Sequence, residues 1–377
     1  MPLRCLDDNG KDVQSFDLSD EEWQLLNAEN RKFRHLKMPC CKADVVLKTS
    51  SLGTHFFAHK SRGACSSAPE TEEHLLLKVA AVRAARKQGW SATTEVSGKN
   101  SLGEIWRADV LATKGNFKVA VEIQWSKQTT EETNRRQKRY EQSGIRGLWL
   151  LRHPGFAISK ELPAVCIDGD KLGGFTALIP RFSDLKLRDK QESAKWIKAL
   201  PIDEFLEAAF SRKFQFGPPL NAPINVYIRS TKIRCPACSM KTNIIFPIEL
   251  ALGKDLKPSW HSPDTYHTYK SIYVDPDFFD DHENLLKSML TTVPNQQMKE
   301  IGEIKFRHSK QHGKEVLCNG CFFCDSALFG HRPRGLEIEK PDFVNNAIAH
   351  QIKLKISPEW QQLIAKYWGE HWDIYPS

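Results

Sequence analysis

The sequence lacks any apolar run that could cross a membrane. No segment has about 18 consecutive apolar residues, and the polar stretch Asp7–Lys11 lies where a secretory signal would need its apolar core. Internal repeats and low-complexity tracts are also absent. These absences argue against a membrane-spanning or fibrous protein and predict a cytoplasmic protein without a membrane partner.

The sequence also lacks an export signal, although it contains ten cysteines. Because the cytosol keeps thiols reduced, these cysteines are not expected to form a disulfide framework. Eight of them cluster between positions 40 and 65 or between 235 and 324. Clustered cysteines without an export signal indicate metal binding.

Extreme composition is absent as well. Hydrophobic residues make up 40% and charged residues 27% of the 377 positions, which is typical of folded soluble protein. A chain of this length favours two or three domains. The formal net charge of +8 weakly favours an anionic partner such as DNA, since many proteins carry a similar surplus without binding any.

Changes in composition and turn residues divide the chain into five predicted segments. They are an N-terminal Cys/His module (1–65), a core (66–183), a helical connector (184–230), a zinc-ribbon-like domain with a long insertion (231–330) and a C-terminal helical tail (331–377). In the core, a helix near 70–88 precedes strands near 92–96, 105–111 and 118–124, a helix near 129–143, and further strands. This order predicts an α/β fold.

Two acids lie on neighbouring predicted strands of this core. Strand alternation places Glu122 and Gln124 on one face of an otherwise apolar strand. A hairpin between the strands would bring Asp109 toward Glu122, where two carboxylates need a cation between them, and oxygen ligands suit Mg²⁺ or Mn²⁺. Alternatively, both are sheet-edge acids paired with Arg107 or Lys118.

The pattern D-x12-E-x-Q resembles the signature of PD-(D/E)XK nucleases, whose core has a restriction-endonuclease-like mixed sheet flanked by helices. Two positions depart from that signature: Ala108 replaces the proline and Gln124 replaces the lysine. Glutamine carries no charge, so Gln124 can orient an attacking water by hydrogen bonding but cannot stabilise a developing anion as lysine does.

An ordered series of motifs over roughly residues 1–170 resembles the competence protein CoiA-like family. The motifs are Thr54–Lys60, Glu72–Lys78, Arg107–Val110, Glu122–Ser126 and Gly144–Leu150. The resemblance implies a nuclease core and a role in handling DNA, in competence, recombination or defence. A recombinase or another DNA-processing protein is an expected partner.

The resemblance also implies roles for residues on the two core helices. Glu73 corresponds to an additional acid near the metal, although the adjacent Glu72 competes for that assignment, and His74 lies beside it. Arg136 and Tyr140 are spaced to share a helix face that could contact the DNA backbone. Alternatively, His74 bonds to a neighbouring residue, and the second helix is a solvated basic helix.

Two C-x2-C pairs in the C-terminal half predict a structural zinc site. They are Cys235 with Cys238 and Cys318 with Cys321, and 79 residues separate the two pairs. Cys324 offers an alternative partner for Cys321. A helix is expected within the long insertion, near Asp281–Leu286.

A second zinc site is predicted in the N-terminal module. Its candidate ligands are Cys40 or Cys41, His55, His59 and Cys65. The complete expectation is therefore a metal-dependent deoxyribonuclease with Asp109 and Glu122 as metal ligands and zinc in a structural role. The alternative is a DNA-binding scaffold with a degenerate nuclease core.

Overall fold

The computed structural model describes residues 2–61, 70–156, 159–180, 196–252, 271–274, 276–309, 313–328, 349–368 and 371–375. The chain forms two compact units. One comprises Met1–Phe216 and Glu370–Ile374, and the other comprises Gly217–Gly369 and Tyr375–Ser377. Within the described ranges, no helix is both long and apolar enough to span a bilayer.

The first unit begins with a small module built from two antiparallel hairpins and a helix. Strands β1 (Arg4–Leu6) and β2 (Asp12–Gln14) form one hairpin, and β3 (Val45–Thr49) and β4 (His55–His59) form the other. Helix α1 (Asp20–Phe33) lies between them in the chain. The module has its own apolar core of Cys5, Trp23, Leu36, Met38, Val45, Leu47 and Phe57.

The polar segment Ser19–Trp23 predicts a helix, and α1 begins there because its first turn is capped reciprocally. The Ser19 hydroxyl accepts a hydrogen bond from the Glu22 amide, and the Glu22 carboxylate accepts one from the Ser19 amide. The helix ends at Arg34, which adopts a left-handed conformation with φ of 57°. The predicted helix near Trp23 is confirmed.

A seven-stranded mixed sheet forms the centre of the first unit. Its order is β11-β10-β9-β8-β7-β6-β5; the pairs β7–β8 and β8–β9 are parallel and the others antiparallel. The strands are β5 (Ser91–Lys99), β6 (Ile105–Lys114), β7 (Phe117–Gln124), β8 (Arg146–Leu151), β9 (Ala164–Asp170), β10 (Gly174–Pro180) and β11 (Trp196–Pro201). The predicted α/β fold with a mixed sheet is confirmed.

Three helices accompany this sheet: α2 (Glu72–Lys87), α3 (Thr130–Glu141) and α4 (Ile202–Phe210). Helix α2 packs against β5, β6 and β7, and α3 packs against β6 and β8. The N-cap of α2 is Thr71, whose hydroxyl accepts a hydrogen bond from the His74 amide. The helix near 70–88 that the sequence predicts is confirmed.

Strands β6 and β7 separate part-way along their length. Their ladder runs from the pair Lys114–Phe117 to the pair Val110–Val121 and ends there. Beyond that point β6 continues beside β5, whereas β7 continues beside β8. The side chain of Asp109 enters the gap, where its Oδ2 accepts a hydrogen bond of 2.9 Å from the Ile123 amide.

The second unit is built on a four-stranded antiparallel sheet and a smaller three-stranded one. The sheet orders are β15-β14-β13-β19 and β16-β17-β18. The strands are β13 (Pro223–Arg234), β14 (Lys241–Leu252), β15 (Ser271–Val274), β16 (Lys305–Ser309), β17 (Lys314–Gly320), β18 (Ala327–Leu328) and β19 (Ala349–Lys355). Helices α5 (Glu283–Leu290) and α6 (Pro358–Trp368) complete it, and α5 confirms the helix expected in the insertion.

Two of the five segments, predicted to be helical, also contain strands. The stretch 184–230 contains helix α4 but also strand β11, which pairs with β10 in the central sheet. The C-terminal stretch contains strand β19 as well as helix α6. It also contains β20 (Trp372–Ile374), which pairs with β12 (Phe214–Phe216) within the first unit.

Candidate functional site

A cavity of about 890 Å³ opens in the first unit where β6 and β7 separate. Residues from the N-terminal module, from α2, from the diverging strands and from α3 line it. Five of the lining side chains are cationic: Arg4, Lys42, Arg107, Arg136 and Arg139. The cavity therefore combines a basic lining with the acids described below.

One face of α2 and the segment before it meets Asp109 in this cavity. Glu70, His74 and Lys78 are spaced four apart, so they lie along one side of the helix. His74 Nε2 lies 3.3 Å from Asp109 Oδ2, and Lys78 Nζ lies 3.4 Å from Asp109 Oδ1. Glu70 and Lys78 were not among the predicted site residues, although their spacing from His74 was a usable signal.

Lys78 is a fully buried cation, with 0% of its surface exposed. Its Nζ lies 2.8 Å from Glu70 Oε1 and 3.2 Å from Glu95 Oε1, in addition to Asp109. Burial acts to lower the pKa of Lys78, but these three carboxylates outweigh it and raise that pKa. Lys78 therefore stays charged at neutral pH.

Glu95 approaches this cluster from strand β5. It lies opposite Asp109, between the pairs Thr94–Val110 and Val96–Ala108, and its backbone has a φ of 56°. Its Oε1 also accepts a hydrogen bond of 3.0 Å from the Leu3 amide. The acid thus connects the N-terminal module to the cavity.

Asp109 is held in its ionised form by its neighbours. Burial alone would raise the pKa of this carboxyl group, but the charge of Lys78 and a hydrogen bond from His74 outweigh that effect. A hydrogen bond from the Ile123 amide acts in the same direction. The pKa of Asp109 is therefore below its ordinary value, so the group is a carboxylate at neutral pH and can serve as a metal ligand.

Glu70, His74 and Asp109 each direct a ligand atom toward a common point. One atom from each residue lies within 4.8 Å of the other two. Two carboxylates and one imidazole are ligands that first-row divalent ions accept, and the imidazole favours Mn²⁺ over Mg²⁺. These three donors fit a divalent cation, although the carboxylates of Glu70 and Asp109 also pair with Lys78.

Glu122 occupies a different environment from the one expected for a metal ligand. The side chain is 1% exposed; Tyr140 Oη donates a hydrogen bond to its Oε1, and Arg136 Nη2 donates one to its Oε2. Burial and the charge of Asp109 raise its pKa to about 8, while Arg136 and Tyr140 oppose that rise. Glu122 is not one of the described residues that line the cavity.

Gln124 and Arg136 form a polar link between β7 and α3. Arg136 Nη1 donates hydrogen bonds of 3.2 Å to Gln124 Oε1 and to Gln128 Oε1, and Gln124 Nε2 donates to Ser126. Arg136 also lies over the ring of Trp149, with its guanidinium carbon 5.2 Å from the ring centre. The two predicted substrate-binding residues of α3 are thus anchored to Glu122, although Arg136 still reaches the cavity.

The two acids of the first turn of α2 do not join the Asp109 cluster. Glu72 is buried, and its carboxylate accepts hydrogen bonds from Ser50, Thr54 and Lys171. Glu73 is half-buried and does not line the cavity in the described structure. Glu70 is the acid that the fold brings to His74 and Asp109.

The second unit contains a four-cysteine cluster formed by Cys235, Cys238, Cys321 and Cys324. The Sγ atoms of Cys235 and Cys324 are 3.7 Å apart, as are those of Cys238 and Cys321. A tetrahedral ion with zinc–sulfur bonds of about 2.3 Å separates its sulfur ligands by about 3.8 Å, so the cluster fits zinc.

Cys318 is not part of this cluster, contrary to the pairing with Cys321 predicted first. It lies in β17 opposite Lys305, and its buried side chain approaches Arg307. The alternative partner, Cys324, supplies the fourth thiolate because the chain turns after β17 ends at Gly320. The second pair is therefore Cys321 with Cys324.

In the N-terminal module, Cys40, Cys41 and His59 come together, but His55 does not join them. His55 stacks on Trp23 with ring centres 4.6 Å apart, and its Nε2 lies 2.9 Å from Asp20 Oδ1. Cys65, the remaining predicted ligand, lies outside the described residues.

Residues 70–161 match the family described as "Competence protein CoiA, nuclease-like domain". The resemblance to the CoiA-like family is confirmed over this segment. No protein of curated function matches the chain. The CoiA nuclease-like segment contains α2 and β5 to β8, and with them every side chain of the Asp109 and Glu122 clusters. This part of the chain therefore has a nuclease-like domain, which points to a nuclease-like role in competence.

Proposed function

We propose that this protein is a metal-dependent hydrolase that cleaves DNA phosphodiester bonds in the cavity between β6 and β7. The observation that carries the proposal is the convergence of Glu70, His74 and Asp109 at the point where the two strands separate. This convergence lies within the CoiA nuclease-like segment. Competence, recombination and defence against foreign DNA are all processes that use such an activity.

The proposed metal ligands are Asp109, Glu70 and His74. A bound Mn²⁺ or Mg²⁺ would polarise the phosphate and lower the pKa of a coordinated water. His74 as a ligand must be neutral, and the helix places its ring beside Asp109. Glu122 is not proposed as a ligand in this arrangement, because protein donors hold both of its oxygens.

The cationic lining supports an anionic substrate. Arg107, Arg136 and Arg139 approach the cavity from β6 and α3, whereas Arg4 and Lys42 approach it from the N-terminal module. Guanidinium groups pair with phosphate oxygens in a bidentate manner, which positions a nucleic-acid backbone without reading its sequence. Gln124 faces the same cavity and can orient a water molecule by hydrogen bonding.

Cleavage of single- and double-stranded DNA in Mg²⁺ and in Mn²⁺ tests this proposal. We expect Asp109→Asn and Glu70→Gln to abolish metal-dependent cleavage while zinc content and folding stay unchanged. Glu73→Gln, on the same helix but outside the cavity, should retain cleavage. Unchanged cleavage by Asp109→Asn would refute the assignment. Loss of cleavage in Glu73→Gln but not in Glu70→Gln would instead support Glu73, the acid predicted from the sequence.

A DNA-binding scaffold is the second candidate, because Gln124 replaces the lysine and Glu122 is bonded to Arg136 and Tyr140. Such a protein would act with a recombinase or another DNA-processing protein. It would bind DNA with salt-dependent affinity in the absence of metal, and Asp109→Asn would change that affinity little. Binding that meets both criteria, without cleavage in either metal, would favour the scaffold.

A further inference from the structure

The N-terminal module forms one wall of the cavity, and two thiols and an imidazole lie together in that wall. Cys41 Sγ lies 3.2 Å from His59 Nε2, Cys40 Sγ lies 3.9 Å from the same atom, and the two sulfurs are 3.7 Å apart. Cys40 and His59 line the cavity that contains Asp109. These residues are distinct from the acids of α2 and from the four-cysteine cluster of the second unit.

The three separations match the edges of a tetrahedral zinc site. Zinc–sulfur bonds of about 2.3 Å and zinc–nitrogen bonds of about 2.0 Å imply about 3.8 Å between two sulfurs and about 3.6 Å between sulfur and nitrogen. The sulfur–sulfur separation is 3.7 Å, and the two sulfur–nitrogen separations, 3.2 and 3.9 Å, bracket the second value. The four-cysteine cluster shows the same sulfur–sulfur edge of 3.7 Å.

The backbone holds these ligands in place. The Met38 amide donates to the Ala43 carbonyl and the Lys42 amide donates to the Met38 carbonyl, which closes a tight turn around the two cysteines. Lys42 has a left-handed φ of 59° at the end of that turn. His59 lies opposite Val45, where β4 returns to the turn. Local backbone structure therefore brings the three ligands together.

His55 belongs to a different cluster, although the sequence predicted it as a ligand. Residues four apart in a strand are separated by about 13 Å, so His55 and His59 cannot reach one ion. His55 is engaged by Trp23 and Asp20 instead. It therefore provides a matched control on the same strand.

We propose that Cys40, Cys41 and His59 bind a structural zinc ion that fixes this wall of the cavity. The ion would connect the turn, through its two thiolates, to the end of β4. Zinc binding would release the thiol protons, since thiolates are the ligands. The site is independent of the divalent ion proposed at Asp109, so its test does not depend on nuclease activity.

Zinc per chain, measured by atomic emission on full-length protein dialysed against Mg²⁺, tests the site. We expect Cys41→Ser and His59→Ala each to contain one zinc fewer than the wild type, and His55→Ala to contain the same number. His59→Cys should restore the lost zinc, because it replaces one ligand type with another. Equal zinc in His59→Ala and the wild type, or a loss in His55→Ala, would overturn the proposal.

Cobalt substitution identifies the ligands while controlling for folding. In a Cys235→Ser/Cys238→Ser background, which leaves only two of the four thiolates of the second unit's cluster, Co²⁺ should still produce thiolate-to-metal absorption. Adding Cys41→Ser should remove that absorption, whereas adding His55→Ala should leave it. Absence of the absorption in the Cys235→Ser/Cys238→Ser protein with native far-ultraviolet circular dichroism would refute a thiolate site in the N-terminal module.

Discussion

Replacing Lys78 by methionine removes the buried cation around which three carboxylates are arranged. Its Nζ lies 2.8, 3.2 and 3.4 Å from oxygens of Glu70, Glu95 and Asp109, and the side chain has no exposed surface. Methionine preserves most of the volume, so the change is chiefly electrostatic. Removing one partner from a buried ion pair costs about 3–5 kcal/mol, because it leaves charge uncompensated.

We expect the free energy of unfolding of Lys78→Met to fall by about 3–5 kcal/mol in urea at pH 7. Lys87 is the matched control, since it lies on the same helix and pairs with Glu207 at the surface. Lys87→Met should change stability by no more than about 1 kcal/mol. A loss below about 1 kcal/mol in Lys78→Met would refute the network as described.

Low pH and bound Mn²⁺ should both reduce the difference in unfolding free energy between the wild type and Lys78→Met. The lowered pKa of Asp109 contributes stability that is present above its unfolded value of 3.8 and is lost as pH falls through the folded pKa. The advantage of the wild type therefore declines in acid. Mn²⁺ at 100 times its dissociation constant adds about 2.7 kcal/mol to a state that binds it. Without competition from Lys78, Mn²⁺ should stabilise the variant more than the wild type.

Three further predictions concern Glu122, its partner Arg136 and the four-cysteine cluster. The raised pKa of Glu122, about 8 against an unfolded value of 4.5, contributes stability that is lost as pH rises between those values. The free energy of unfolding in urea should therefore fall more for the wild type than for Glu122→Gln as pH rises from 4.5 to about 8. An equal pH dependence of the two proteins would contradict this. Arg136→Gln should destabilise more at pH 9 than at pH 6, because Glu122 ionises without its partner. Cys324→Ser should lose one zinc by atomic emission, whereas Cys318→Ser should lose none.

The sequence predicted most of the central sheet because its signals are local. Alternation and glycine positions identified β5, β6 and β7, and polar spacing identified α3. The acid beside His74 was harder to predict: Glu73 and Glu72 were the candidates, whereas the structure brings Glu70, which precedes α2, to His74 and Asp109. Thr71 sets the start of α2, and the spacing of four from His74 then selects Glu70.

The zinc ligands show where sequence spacing is insufficient. Cys318, Cys321 and Cys324 are each three apart, so both possible C-x2-C pairs fit the same motif. The choice follows from β17, which extends through Cys318 to Gly320 and commits that cysteine to pairing with β16. Such long-range pairing is invisible to a local pattern. His55, by contrast, was predicted as a ligand, although residues four apart in a strand lie too far apart to share an ion with His59.

The missing lysine of β7 does not leave this site without positive charge. Lys78 on α2 lies beside Asp109, and Arg136 on α3 lies beside Glu122, so each acid has a cation supplied by a helix. Lys78 cannot touch a substrate because it is fully buried, whereas Arg136 lines the cavity and retains partial exposure. Of these two cations, Arg136 is therefore the one that a phosphate can reach, and contact with phosphate would compete with its bond to Glu122. If the protein cleaves DNA as proposed, we expect substrate binding to draw Arg136 from Glu122, and Gln124, which accepts a hydrogen bond from the same guanidinium, is placed to respond to that movement.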